Sequence, residues 1–109
     1  MSETKYDHFF YVLSNKQRLR TLLYLVDNSP ASVSTIVKDL QIEQSAVSHA
    51  LRQLLNCHFV NVNRIGKERI YAINQESVMP IFDFIKKHIK KYCVEECVHQ
   101  RNNYVKTFT

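Results

Sequence analysis

The chain has 109 residues, 45% hydrophobic and 23% charged, with one glycine, three cysteines and a formal net charge of +5. One glycine excludes Walker-type phosphate loops and dinucleotide-binding fingerprints, which need several close together, and no apolar run approaches the ~18 residues of a membrane span. The surplus of Lys and Arg favours an anionic partner, nucleic acid ahead of a membrane surface.

The polar start Met1-Ser2-Glu3-Thr4-Lys5 lacks the pattern of a signal peptide. An odd number of cysteines fits a reducing compartment better than a disulfide framework. These features predict one small cytoplasmic domain over residues 1–109, with no membrane partner. A chain this short gains from burial between subunits, so self-association is expected.

Residues 6–13 form a short amphipathic stretch. Ser14 followed by Gln17 reads as a capping box opening a helix. Leu19, Leu22, Leu23 and Val26 then repeat at the i, i+3, i+4, i+7 spacing of a core-facing stripe. Pro30 ends that helix, since proline cannot continue it and disfavours helical geometry in its predecessor.

Val33, Ile36, Val37 and Leu40 make a second stripe, with Ser32 as its cap. A third begins at Gln44, with Val47, Ala50, Leu51 and Leu54 inward. Two short helices three or four residues apart have the spacing of a helix-turn-helix, here about residues 32–57. Phe59-Val60-Asn61-Val62-Asn63 then alternates like a half-buried strand, and Arg69-Ile70-Tyr71-Ala72-Ile73 is rich in β-formers. Between them the only glycine, Gly66, marks a hairpin tip flanked by Arg64, Lys67 and Arg69.

A β-hairpin with a basic tip, about residues 59–74, directly after a helix-turn-helix is a winged helix. The fold class is therefore mainly α with a small β wing (α+β). A long helix, about residues 77–102, closes the chain. Val78, Ile81, Phe82, Ile85, Ile89, Tyr92 and Cys93 lie on one side of it, and Lys86, Lys87, Lys90 and Lys91 on the other. A stripe that long needs a cover, and the simplest one is the same helix of a second copy.

With Val47, Ala50, Leu51 and Leu54 inward, Ser45, Ser48, His49 and Arg52 fall together on the outer face of the third stripe. With Gln44 they are suited to phosphate oxygens and base edges in the major groove. Arg64, Lys67 and Arg69 would sit at the wing, on phosphate or in the minor groove. A solvated polar face is the bland alternative.

Three segments resemble the ArsR-type winged-helix repressors of bacteria and archaea, across about residues 13–92. They are Leu13-Ser14-Asn15 with Arg18-Leu19 and Leu22-Leu23, then Gln44-Ser45-Ala46-Val47-Ser48-His49-Ala50-Leu51, then Arg64-Ile65-Gly66-Lys67 with Tyr71. The resemblance implies a dimer gripping double-stranded operator DNA, joined through its N- and C-terminal helices. Glu43 stands where that family usually has a serine cap, and Lys16 where it often has proline.

Many such repressors release DNA when a metal, arsenite or an oxidant arrives. At one family thiol pair this chain has Ser32 and Ser34. At a second family site it has Gln75, Ser77, His88 and Lys91, of which only His88 could bind a metal. Cys93 and Cys97, four apart on the terminal helix, with His99 beyond and His8 from the first helix, suit zinc, copper(I) or arsenite. They equally suit a redox switch between subunits, or plain burial as small hydrophobes. Cys57 reads as core among leucines.

The leading function is a homodimeric transcriptional repressor on an inverted repeat. An architectural, nonspecific DNA-binding protein and a winged helix that binds another protein are the alternatives. No cysteine–histidine or carboxylate pair stands in a recognisable catalytic setting, so the chain is not expected to be an enzyme.

Overall fold

A computed structural model describes residues 3–92. The expected terminal metal or redox residues, Cys93, Cys97 and His99, lie outside them, as does the end of the last helix. The described elements run α1 (Glu3–Leu13), α2 (Lys16–Asn28), β1 (Ala31–Ser32), α3 (Val33–Leu40), α4 (Gln44–Asn56), β2 (Val60–Ile65), β3 (Glu68–Ile73) and α5 (Val78–Tyr92). They fall into two compact units, the first ending at Gln75 and the second starting at Glu76.

In the first unit α1 is longer than the amphipathic stretch suggested, starting at Glu3 rather than Tyr6. The break after it differs from expectation. Ser14 does not cap α2: its N–H and hydroxyl both donate to Tyr11 O, closing α1. Asn15 is the cap, its side chain accepting from Arg18 N–H at 3.0 Å.

The buried face of α2 is also turned by one residue from the expected stripe. It comprises Arg18, Thr21, Leu22 and Leu25, while Leu23 is exposed and Leu19 and Val26 are half-buried. Two polar side chains hold this face because their hydrogen bonds are met internally. Thr21 Oγ1 donates to Gln17 O at 2.8 Å. Arg18, 8% exposed, donates from Nε to Val12 O at 2.7 Å, from Nη2 to Tyr11 O at 3.2 Å and from Nη1 to Gln53 Oε1 at 2.7 Å. A buried cation is tolerated only when so engaged.

Ser32 caps α3 as expected, accepting from Thr35 N–H at 3.2 Å. Gln41 ends α3 in the left-handed conformation (φ 53°), its N–H on Val37 O, and Ile42 is buried in the turn before α4. Val47, Ala50, Leu51 and Leu54 all face inward, as their spacing predicted. They meet Leu22, Leu25, Ile36, Val60, Tyr71 and Ile73 in the core; each fully buried aliphatic side chain contributes about 1.5–3 kcal/mol.

The sheet is antiparallel, in the order β1-β3-β2. Gly66, at φ 64°, turns the β2–β3 hairpin in a conformation glycine takes without steric cost. The two-residue β1 was not foreseen; it pairs Ala31 with Tyr71 and Ser32 with Ile70, tying the start of α3 to the inner strand of the wing.

Cys57 is another correction. It is half-buried at the end of α4 rather than in the core, with its Sγ 3.6 Å from His8 Nε2. In the second unit α5 has Val78 and Phe82 buried, whereas Ile81, Phe84, Ile89 and Tyr92 are exposed. No helix among the described residues is long and apolar enough to cross a membrane.

Candidate nucleic-acid interface

The inward set of α4 dictates what remains outside. Gln44, Ser45, His49 and Arg52 are exposed and Ser48 is half-buried on the opposite side of the same helix. The wing follows α4 directly, and Arg64, Lys67 and Arg69 are all exposed along it. The packing of α3, α4 and β3 leaves an open hollow of about 350 Å³ between helix and wing. Gln44 and Ser48 line it from α4, and Lys67, Glu68 and Arg69 from the wing.

Ser32 and Ser34 complete the hollow at the start of α3. In the sequence they mark a missing thiol site, and Ser32 a helix cap, rather than part of a DNA-contacting face. Nothing in their own periodicity marks them as neighbours of the wing; the β1–β3 pairing brings them there. Ser45, His49, Arg52 and Arg64 do not line this hollow. His49 instead borders a smaller one of about 130 Å³ with Asn15, Gln17 and Gln53.

Three electrostatic features favour an anion here. The first turn of a helix presents unpaired N–H groups and a partial positive charge, and two such ends, of α3 and α4, adjoin the hollow. Glu43 occupies the cap position of α4 but makes no side-chain cap bond, so these α4 donors are not taken up by a cap. On the wing Arg64 lies directly across from Arg69 in the hairpin register. Like charges facing each other across two strands are unfavourable, and an anion between them relieves that repulsion.

The hollow gathers amide, hydroxyl, ammonium and guanidinium donors with one carboxylate, Glu68, groups suited to phosphate and to polar edges. The soft-metal alternative does not fit Ser32 and Ser34. Their hydroxyl oxygens lie 3.1 Å apart, Ser32 Oγ also contacts Thr35 Oγ1 at 2.9 Å, and neutral hydroxyls are poor ligands for soft ions. No group of three or more His, Cys, Asp or Glu suited to a metal occurs among the described residues.

The family model described as "Bacterial regulatory protein, arsR family" matches residues 15–62. The transcriptional repressor SmtB homolog of a Synechocystis strain is 28% identical over 83 residues, covering 76% of this chain and 62% of that protein. The chain thus spans about three fifths of that relative's length. The uncharacterized HTH-type transcriptional regulator YbzH of Bacillus subtilis is 30% identical over 94 residues, covering 73% of this chain and 94% of that one. Among solved structures, M. tuberculosis Rv0081 superposes with a TM-score of 0.75 at 26% identity, over 88% of this chain and 99% of its own.

Proposed function

The chain belongs to the ArsR family of bacterial regulatory proteins, and from that membership we propose that it is a homodimeric, sequence-specific transcriptional repressor of an inverted-repeat operator. The observation that carries this reading is the hollow shared by α4 and the wing. It brings Gln44 and Ser48 of the helix beside Lys67 and Arg69 of the hairpin.

The helix face enters the major groove, where Arg52 pairs bidentately with a guanine, Gln44 reads an adenine edge, and Ser45, Ser48 and His49 contact bases or backbone. Arg64, Lys67 and Arg69 hold the flanking phosphates. Two copies joined through their terminal helices set the half-sites about one helical turn, roughly 34–36 Å, apart. Exposed Tyr6, Phe10 and Tyr11 of α1, and Ile81, Phe84, Ile89 and Tyr92 of α5, supply the apolar surface for that union. Cys93, Cys97 and His99 are the residues that would take zinc, copper(I) or arsenite, or form a redox bridge, to signal release.

Binding to a selected operator and to random duplex, across a salt series, tests the reading. Arg52→Ala should weaken operator binding by about 1–3 kcal/mol and relax preference at one base pair. Lys67→Ala should weaken every duplex alike and reduce the salt slope by about one. Equal affinity for operator and random DNA would instead identify a nonspecific architectural protein, and no affinity at any salt a protein-interaction module. Operator release by zinc, arsenite or oxidant that survives Cys93→Ser with Cys97→Ser would retire the terminal thiols as sensors.

A further inference from the structure

A second hollow, of about 280 Å³, lies where α1, α2 and α4 meet, on the other flank of the DNA-reading helix. His8, Tyr11, Arg18, Gln53, Asn56 and Cys57 line it. Three features coincide there. The thiol is half-buried, so it is sheltered yet reachable. Its sulfur lies 3.6 Å from His8 Nε2, within hydrogen-bonding reach. The remaining wall is largely apolar, from Val12 and Tyr11, and the Arg18 guanidinium with the amides of Gln53 and Asn56 supplies its polar groups.

We propose that Cys57 and His8 form a hydroperoxide-reactive thiol–imidazole pair, and that oxidation of Cys57 loosens the hold of α4 on DNA. The first half stands on the pair alone; the second rests on the DNA-reading role proposed above.

The thiolate is the nucleophile and a thiol must lose its proton to react. With the imidazole proton on Nδ1, His8 Nε2 takes the Sγ proton as sulfur attacks one oxygen of a hydroperoxide, ROOH. The S–O bond forms and the O–O bond breaks. Sulfur is oxidised by two electrons to the sulfenic acid, the peroxide is reduced, and the departing alkoxide leaves as ROH with the proton held on His8. The net change is Cys–SH plus ROOH to Cys–SOH plus ROH. Guanidinium and amide donors suit the oxygens of such a small polar oxidant, and Arg18 supplies positive charge where negative charge develops on the leaving oxygen.

The same residues connect the thiol to the reading helix. Cys57 N–H bonds back to Gln53 O, and the Gln53 side chain accepts from Arg18, which also holds the last carbonyls of α1. At 3.6 Å there is no room for an added oxygen between sulfur and imidazole. A new hydroxyl turned into the hollow would compete with Gln53 for the Arg18 donors. The tie that fixes the end of α4 against α1 is the contact this disturbs.

The experiment uses the full chain carrying Cys93→Ser and Cys97→Ser, in which Cys57 is the one remaining thiol. It is treated with tert-butyl hydroperoxide, the sulfenic acid is trapped with dimedone, and the adduct is followed by mass spectrometry. Adduct should form at Cys57, and about tenfold or more slowly after His8→Gln, the scale expected for removing a general base. Operator affinity should fall on oxidation in this chain and hold constant after Cys57→Ser. Equal adduct rates with and without His8 would overturn the pair, and full oxidation with unchanged affinity would overturn its coupling to α4. The adduct rate is measured without DNA, so a chain that never bound operator would sink the DNA reading while the thiol chemistry is decided by its own rate.

Discussion

Helices α4 and α5 carry similar amphipathic repeats but meet different fates. In α4 every apolar position of the stripe is buried, Leu51 completely. In α5 Val78 and Phe82 are buried, whereas Ile89 is 47%, Tyr92 60% and Phe84 73% exposed. Periodicity fixes which side of a helix is oily; it does not say whether the cover comes from the same molecule. The uncovered later turns of α5 present the kind of apolar surface that marks an association site.

The contrast can be broken at either end. Leu51→Ala should give the largest effect, a loss of about 2–5 kcal/mol in urea unfolding, because the core around α4 closes only partly over the void. Ile89→Asp should leave the unfolding of a dilute sample within about 0.5 kcal/mol of the parent. In sedimentation the same variant should dissociate the dimer tenfold or more, about 1.4 kcal/mol. A parallel loss of unfolding stability would show that α5 is covered within its own chain after all.

The smallest effect is expected at a surface tie between α2 and α3, where Tyr24 OH donates to Asp39 Oδ2 at 2.6 Å. That hydrogen bond, with smaller contributions from desolvation and the Asp39 charge, raises the Tyr24 phenol above its ordinary value near 10. A raised value means the native state favours the protonated phenol. The tie therefore contributes fully below about pH 10 and is lost as pH climbs through the folded value. Asp39→Asn should return the phenol toward ordinary titration by ultraviolet absorbance, with stability at neutral pH changed by under about 0.5 kcal/mol.

How much could be read in advance followed from the chemistry of each face. The inward side of α4 was legible because Val47, Ala50, Leu51 and Leu54 are all apolar. That of α2 was not: Arg18 and Thr21 are buried through hydrogen bonds, and a hydrophobic pattern then shifts to Leu19, Leu23 and Val26. Asn15 lost the cap to Ser14 on paper because both residue types cap well and only the closing turn of α1 decides. At the candidate interface Gln44, Ser48, Lys67 and Arg69 follow from a helix face and a hairpin tip. Glu68 stands between Lys67 and Arg69 in the chain, whereas Ser32 and Ser34 adjoin them only through tertiary pairing. His8 and Cys57 stand 49 positions apart, a separation at which spacing carries no message about contact.

The two-residue strand β1 has a mechanical consequence. By pairing Ser32 with Ile70 it stitches the head of α3 to the wing, so the two border the hollow beside α4 as one wall. Under the reading proposed above, a duplex gripped beside that wall must match its contour or bend to meet it. Stiff and pliable sequences pay differently for that bending, which extends discrimination to base pairs that no side chain touches.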